Sequence, residues 1–415
     1  MAGQDPEPLR DTPNDGRRRL RFFGPSTNED EVAVADLLRS ETIGGAIMLV
    51  AMVIALVWAN VHHVSYEAIR EIRLGPMTLG QWASDGLLTI FFFLAGLELK
   101  REFRSGSLAH PKQAMLPIMA ALCGMAVPAL IYTGINLASP DGNLVGWAVP
   151  MATDIAFAVA VLAVVAPRLP PSLRAFLLTL AIVDDLGAII VIAIVFTSTV
   201  NWLSLGLALA CGVVWFVLQQ RRLDKWYLHV PLFVACWWFM FDSGVHATIS
   251  GVLLGLLTRN SPNEAHDPVD RWGHVWAPVS AGFAVPVFAL FTAGVRLDPA
   301  ALTAVVTHPV TLGITIGLVV GKAIGVTGGA WLTAKITGAH LHGGITWREI
   351  SSIGILAGIG FTVALLVAEL AFAGHPDQVD HAKAAVLLGS VLAALLATVS
   401  LRRRTATRRQ AGTLQ

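Results

Sequence analysis

Long apolar runs separated by short polar connections dominate this chain and constrain its fold more than any other feature. A bilayer core about 30 Å thick takes roughly 20 apolar residues per helical crossing, and fewer where neighbouring helices bury the ends. Runs of that kind fall near residues 43–60, 84–99, 114–137, 146–166, 173–199, 202–219, 228–242, 245–258, 276–295, 309–334, 350–373 and 383–401. They make about twelve spans, numbered 1 to 12 in chain order, and the 228–258 region can be divided in more than one way. A chain that is 55% hydrophobic and 14% charged, with a mean hydropathy of +0.65, carries more apolar surface than one water-soluble core can hide. The expected fold class is therefore an all-α integral membrane protein with lipid as its main partner.

Charge reports topology here. A net charge of +1 provides no field for nucleic acid or for acidic substrates. The cations gather in alternate connections: Arg17, Arg18, Arg19 and Arg21, then Lys100, Arg101, Arg104 and Lys112, then Arg168 and Arg174, then Arg221, Arg222 and Lys225, and finally Arg402, Arg403, Arg404, Arg408 and Arg409. The intervening connections hold few, chiefly Arg70, Arg73, Arg296 and Lys383. Positive charge marks the cytoplasmic side, so both termini are expected there, which requires an even number of spans. Cys123, Cys211 and Cys236 lie within apolar runs and suggest neither a disulfide framework nor a zinc site. Three regions result: a polar tail over 1–40 without the apolar stretch of a signal peptide, read as disordered; a membrane domain over 41–401; and a basic tail over 402–415.

Spans 4 and 11 are interrupted. The fourth reads Ala148-Val149-Pro150-Met151-Ala152-Thr153-Asp154, and the eleventh reads Gly354-Ile355-Leu356-Ala357-Gly358-Ile359-Gly360-Phe361-Thr362. Pro, Gly and Thr in mid-membrane favour broken helices, whose freed backbone groups need partners in protein or around a polar cavity. The alternative is that these glycines only let helices pack closely. The two spans are an odd number apart and cross the membrane in opposite directions. Units 3–5 and 10–12 would then be inverted repeats with a site where the breaks meet.

A carboxylate in the hydrocarbon region is costly enough to be read as functional. Asp154, Asp184 and Asp185 qualify, the last two at the centre of span 5 in Val183-Asp184-Asp185-Leu186-Gly187. Adjacent helical residues point about 100° apart, so one can face a cavity while the other meets a neighbouring helix. A carboxyl group withdrawn from water favours its protonated form, and such a group can yield its proton to a hard cation. Na⁺ and Li⁺ want oxygen ligands, which carboxylates, the Thr153 hydroxyl and the carbonyls of a broken helix supply. Competition of proton and cation for one site suffices for exchange when that site faces one side at a time. A structural salt bridge is the bland reading of the pair.

Lys322, in Gly321-Lys322-Ala323, lies too deep in span 10 to reach an interface easily. Its candidate partners are Asp184 or the negative end of a half-helix, with Asp154 balancing positive half-helix ends; a snorkelling lysine is the alternative. The run Glu98-Leu99-Lys100-Arg101-Glu102 closes span 2, and it also reads as an ordinary charged helix end. His246 opens span 8; histidine as a residue type titrates near neutrality and could sense pH, although a lone histidine is more often satisfied by a neighbour.

These stretches resemble the bacterial sodium/proton antiporter A family from about Ile43 to Leu401. The motifs that carry the resemblance are Gly96-Leu97-Glu98-Leu99-Lys100-Arg101-Glu102, Ala152-Thr153-Asp154-Ile155-Ala156-Phe157, Val183-Asp184-Asp185-Leu186-Gly187-Ala188, Ser243-Gly244-Val245-His246-Ala247-Thr248, Gly321-Lys322 and Gly358-Ile359-Gly360-Phe361-Thr362. Inverted repeats are an established feature of that family, so the repeat and the resemblance are one line of inference. The resemblance implies twelve helices, breaks in 4 and 11, and electrogenic exchange of Na⁺ or Li⁺ for more than one proton at a bacterial inner membrane. It implies ion and protons on Asp184 and Asp185, Thr153 and Asp154 at the crossing, and Lys322 paired to Asp184. It further implies pH sensing at a cytoplasmic funnel, onto which Glu98, Arg101 and Glu102 map, with His246 and His274 as further candidates. Where the family often has Glu before the histidine of span 9, this chain has Gly273-His274, which bears on the pH threshold. No resident cofactor is implied. The 67–79 loop, with Arg73-Leu74-Gly75-Pro76-Met77, matches a β-hairpin that pairs subunits in the family, so a homodimer is expected, although a simple surface loop fits the residues equally.

Other classes fit less well. Intramembrane aspartyl proteases carry their carboxylates on separate helices in Tyr-Asp and Gly-x-Gly-Asp motifs, and neither occurs. Channels use repeated pore loops or charged rings, and none is evident. A sodium-coupled organic-anion transporter would need a basic anion pocket.

Overall fold

The computed structural model of the protein describes residues 41–109, 111–166, 171–197, 199–223, 225–261, 267–296, 303, 307–337 and 345–410. The 1–40 tail, Arg168 and residues 411–415 of the basic tail lie outside these. Each expected span has a helical counterpart. Span 1 is Glu41–Val61, span 3 Pro111–Leu137, span 5 Pro171–Val195, span 6 Trp202–Gln220 and span 12 Pro376–Gln410. By length and apolarity, nine helices among the described residues are fit to cross a membrane, and the bent pair of span 11 makes a tenth. Spans 7 and 8 are shorter helices, Trp226–Asp242 of 17 residues and Thr248–Leu257 of 10. The expected twelve therefore resolve into ten elements of full crossing length and two short ones.

Lipid replaces water around this bundle. Large apolar side chains such as Leu203 and Val213 are exposed, and exposed Trp202 and Trp226 mark the starts of spans 6 and 7, where amphipathic rings prefer the membrane interface. With no hydrophobic drive between helices in lipid, close packing through small residues brings them together. Spans 3 and 10 illustrate it: a Cβ on Gly325 would run into the Cys123 carbonyl, so these backbones touch where glycine leaves room.

Three spans are wound loosely for a turn or more. π-helical stretches occupy Trp82–Leu87 in span 2, Ser280–Ala284 in span 9 and Gly317–Gly321 in span 10. Such bulges re-aim side chains and often sit at functional sites. The last of them directly precedes Lys322 in the helix Lys322–Thr337.

Beyond span 1, the helix His63–Arg70 leads into the two-stranded hairpin Arg73–Leu74 and Met77–Thr78, paired antiparallel with Arg73 opposite Thr78 and Leu74 opposite Met77. Gly75 at φ 68° supplies the left-handed backbone that the first central position of a two-residue turn requires. The Tyr66 hydroxyl donates to the Leu290 carbonyl at 2.8 Å, and burial lifts the phenol above its ordinary range, so the donor stays protonated.

Candidate functional site

Two breaks meet in the middle of the bundle. The first half of span 4, Leu144–Met151, is a 3-10 helix that contains Pro150. Ala152, Thr153 and Asp154 then run extended before the helix Ile155–Val165 begins. Span 11 consists of Trp347–Leu356 and Phe361–Ala371, bent by 49° across the break. A Cβ on Gly358 would strike the Leu318 carbonyl, so only glycine lets this break lie against span 10. The Asp154 N–H donates to the Ile359 carbonyl at 2.7 Å and the Thr153 hydroxyl to the Ala357 carbonyl at 2.8 Å. Backbone groups freed by one break are thus satisfied by the other, as a membrane interior demands.

Asp154 joins the two half-helices. One carboxylate oxygen accepts from the Phe157 N–H at 3.0 Å, capping its own helix. The other accepts from the Thr362 N–H at 3.2 Å and the Thr362 hydroxyl at 2.8 Å, at the start of the second half of span 11. Ser390 of span 12 completes that end by accepting from the Gly360 and Phe361 N–H groups. One carboxyl group therefore caps two helix ends, whose N–H groups it accepts from.

Lys322 and Asp184 form an ion pair of 2.7 Å with both side chains 1% exposed, and Thr153 lies beside Asp184. The lysine therefore does not snorkel. Asp185 is 3% exposed, and neither of its oxygens has a hydrogen-bond partner within the protein; the second oxygen of Asp184 also lacks one. Ionisable neighbours of Asp185 include Asp184, Asp154, Glu98 and Lys322. Buried acceptors without donors are costly, and they suit a proton or a cation.

Asp185 lies at a cavity of about 410 Å³ whose wall also includes Glu98, Arg101, Asp270 and His274. Arg101 and Asp270 pair across it, from the end of span 2 to the start of span 9. A smaller void touches both Asp185 and Glu98. Among the described residues no three His, Cys, Asp or Glu side chains converge as a resident-metal site needs.

The structure thus brings together Thr153, Asp154, Asp184, Asp185 and Lys322, and it places Glu98, Arg101 and His274 around the cavity. Glu102 and His246 are elsewhere. Glu102 turns to the connection after span 2 and accepts from the Leu108 N–H, while His246 sits 3.5 Å from Asp85 and 3.1 Å from the Thr248 hydroxyl. Sequence reading missed Thr362 and Ser390 as caps, Asp270 as the partner of Arg101, and Asp85. Only Thr362 carried a signal, as the first polar residue after the Gly-rich break.

A sequence model of the family described as Na+/H+ antiporter 1 matches residues 35–401. This chain belongs to that family. It is 51% identical over 396 residues to the Na(+)/H(+) antiporter NhaA of Cutibacterium acnes, a match covering 95% of this chain and 94% of the relative. It is 52% identical over 405 residues to the Na(+)/H(+) antiporter NhaA of Streptomyces antibioticus, covering 95% and 84%. Among solved structures, the sodium proton antiporter MjNhaP1 from Methanocaldococcus jannaschii is similar with a TM-score of 0.51 at 13% identity, covering 90% of this chain and 97% of the other. That last likeness concerns the fold alone. The chain is a multi-span membrane protein of an antiporter family, and its two broken spans are those the resemblance implied.

Proposed function

We propose that this protein exchanges Na⁺ or Li⁺ for protons by alternating access, with Asp185 and Asp184 as the site for which ion and proton compete. The observation that carries the reading is Asp185: a buried carboxylate with no partner on either oxygen, open to a cavity and adjacent to the Asp184–Lys322 pair. A cation arriving through the cavity takes the oxygens of Asp185 and the free oxygen of Asp184, with Thr153 and water as further ligands. Any proton on Asp185 must leave as it binds. Asp184 is then shared between the cation and Lys322, and loss of the ion pair lets Lys322 release its proton as well. Two protons moved against one cation make the exchange electrogenic. Asp154 keeps the two half-helix ends together throughout.

Glu98, Arg101 and His274 surround the path to Asp185 and form the pH-responsive mouth, with Gly273 beside His274 bearing on its threshold. Glu102 and His246 act from outside the cavity. The cavity mouth and both termini face the cytoplasmic side of a bacterial inner membrane, a reading that the cationic connections support. Exposed Ile72 and Leu74 beside the hairpin give a second copy an apolar edge, and the protein acts as a homodimer.

The test is dissipation of an imposed acid-inside pH gradient in proteoliposomes. Na⁺ and Li⁺ added outside should collapse the gradient, K⁺ should not, and Asp185→Asn should be inert while inserting normally. An Asp185→Asn protein with undiminished exchange would remove Asp185 from the site.

A further inference from the structure

The cavity reaches Asp185 from the face where span 2 ends and span 9 begins. On the opposite face, where span 9 and the second half of span 11 end and span 12 begins, lies a second set of charges. Glu369 accepts two charge-assisted hydrogen bonds on one oxygen, from Arg70 at 2.9 Å and from Lys383 at 2.6 Å. The Lys383 side chain is 2% exposed. Arg70 also lies 3.5 Å from Glu67 of its own helix.

The two cations reach Glu369 from different parts of the molecule. Lys383 belongs to span 12, which packs along span 11. Arg70 belongs to the helix His63–Arg70, which is tied to span 9: the Tyr66 hydroxyl bonds the Leu290 carbonyl and accepts from the Gly294 N–H at 3.2 Å, and Asn60 donates to the Val295 carbonyl at 2.9 Å. The Arg70–Glu369 bond therefore joins spans 1 and 9 to spans 11 and 12 across the face opposite the cavity.

We propose that Arg70 and Glu369 are the gate of that face, holding it shut while the cavity face is open and separating when the site turns outward. The inference rests on the alternating-access reading above. Opening requires the second half of span 11 to part from span 9 and the helix beyond it, and Arg70–Glu369 is the charged contact between them. Lys383 stays with Glu369 when Arg70 leaves. The gate then opens without stranding a lone buried carboxylate, whose cost would otherwise hold it closed. Arg70, part-exposed already, moves into water.

The experiment uses the full chain in lipid nanodiscs, where reagent reaches both faces, with Cys123, Cys211 and Cys236 replaced by serine. A reporter cysteine at Ala293, buried at the end of span 9 beside Gly294, reads opening through its rate of reaction with a polar maleimide. Arg70→Gln and Glu369→Gln should each raise that rate at least roughly fivefold as the open population grows, and the double variant should add little to either. A smaller change in both singles overturns the gate and leaves the ion pair a static staple. A second arm uses Arg70→Cys with Glu369→Cys in liposomes. Cross-linking by a short bifunctional maleimide, verified by mass, should stop exchange that the uncross-linked protein performs, and continued exchange overturns the proposal. Wild-type protein without any cation-driven proton movement would instead sink the exchange reading, which the labelling rates do not depend on.

Discussion

At the scale of single residues, Asp184 and Asp185 share a chemistry and differ in company. Asp184 meets an ammonium 2.7 Å away, whereas Asp185 meets a cavity. Their neighbouring positions in one helix produce the difference, because a 100° turn points one towards span 10 and the other towards spans 2 and 9. Lys322→Ala removes the cation paired with Asp184, and a proton then takes its place on that carboxylate. The active range of exchange is expected to move to higher pH, as read from initial rates of Na⁺-driven proton movement across a pH series; an unchanged profile would separate Lys322 from the coupling. The carboxylates and the lysine were legible in the sequence because charges are conspicuous in an apolar run. Their pairing was only a candidate there, since 138 residues separate Asp184 from Lys322 and no local pattern links them.

At the scale of elements, the crossing of spans 4 and 11 is a hydrogen-bond problem solved in pairs. Each break frees N–H and carbonyl groups, and the other break, Asp154 and Ser390 take them up. The breaks could be read from Pro150 and from Gly358 and Gly360 because those residues disturb a helix through their own backbone. Ser390 could not, as one serine in a long apolar helix has no distinguishing neighbour. The 3-10 winding of Leu144–Met151 escaped, because hydropathy measures length in residues and not in turns. Gly358→Ala tests the fit directly. Its Cβ would press on the Leu318 carbonyl, and overpacking of that kind costs about 1–3 kcal/mol. Thermal unfolding in detergent should show a lowered Tm together with reduced exchange, and a Tm equal to wild type would mean that the crossing yields more easily than the packing indicates.

For the whole molecule, a cavity leads to Asp185 from one face and Glu369 pairs with Arg70 and Lys383 at the other, the asymmetry on which the proposed alternating access rests. The hairpin stands apart from that machinery. Met77 is buried beneath it while Leu74 is 61% exposed, so replacing Arg73–Thr78 by a short Gly-Ser linker should convert a dimer to a monomer, measured by light scattering in detergent, with exchange by each subunit preserved. A dimer that survives the change would place the subunit contact elsewhere. Partner surfaces were the least legible feature in the sequence, since lipid-facing and subunit-facing residues are both apolar.

Competition between cation and proton at Asp185 is tested most directly by the apparent KM for Na⁺ across a pH series in proteoliposomes, with the rate taken to saturation at each pH. The account predicts that KM rises as pH falls, approaching roughly tenfold per pH unit for each competing proton, while the rate at saturating Na⁺ stays level. A KM that holds constant while the saturating rate falls would mean that protons act at a separate site, and that Asp185 does not serve both ions.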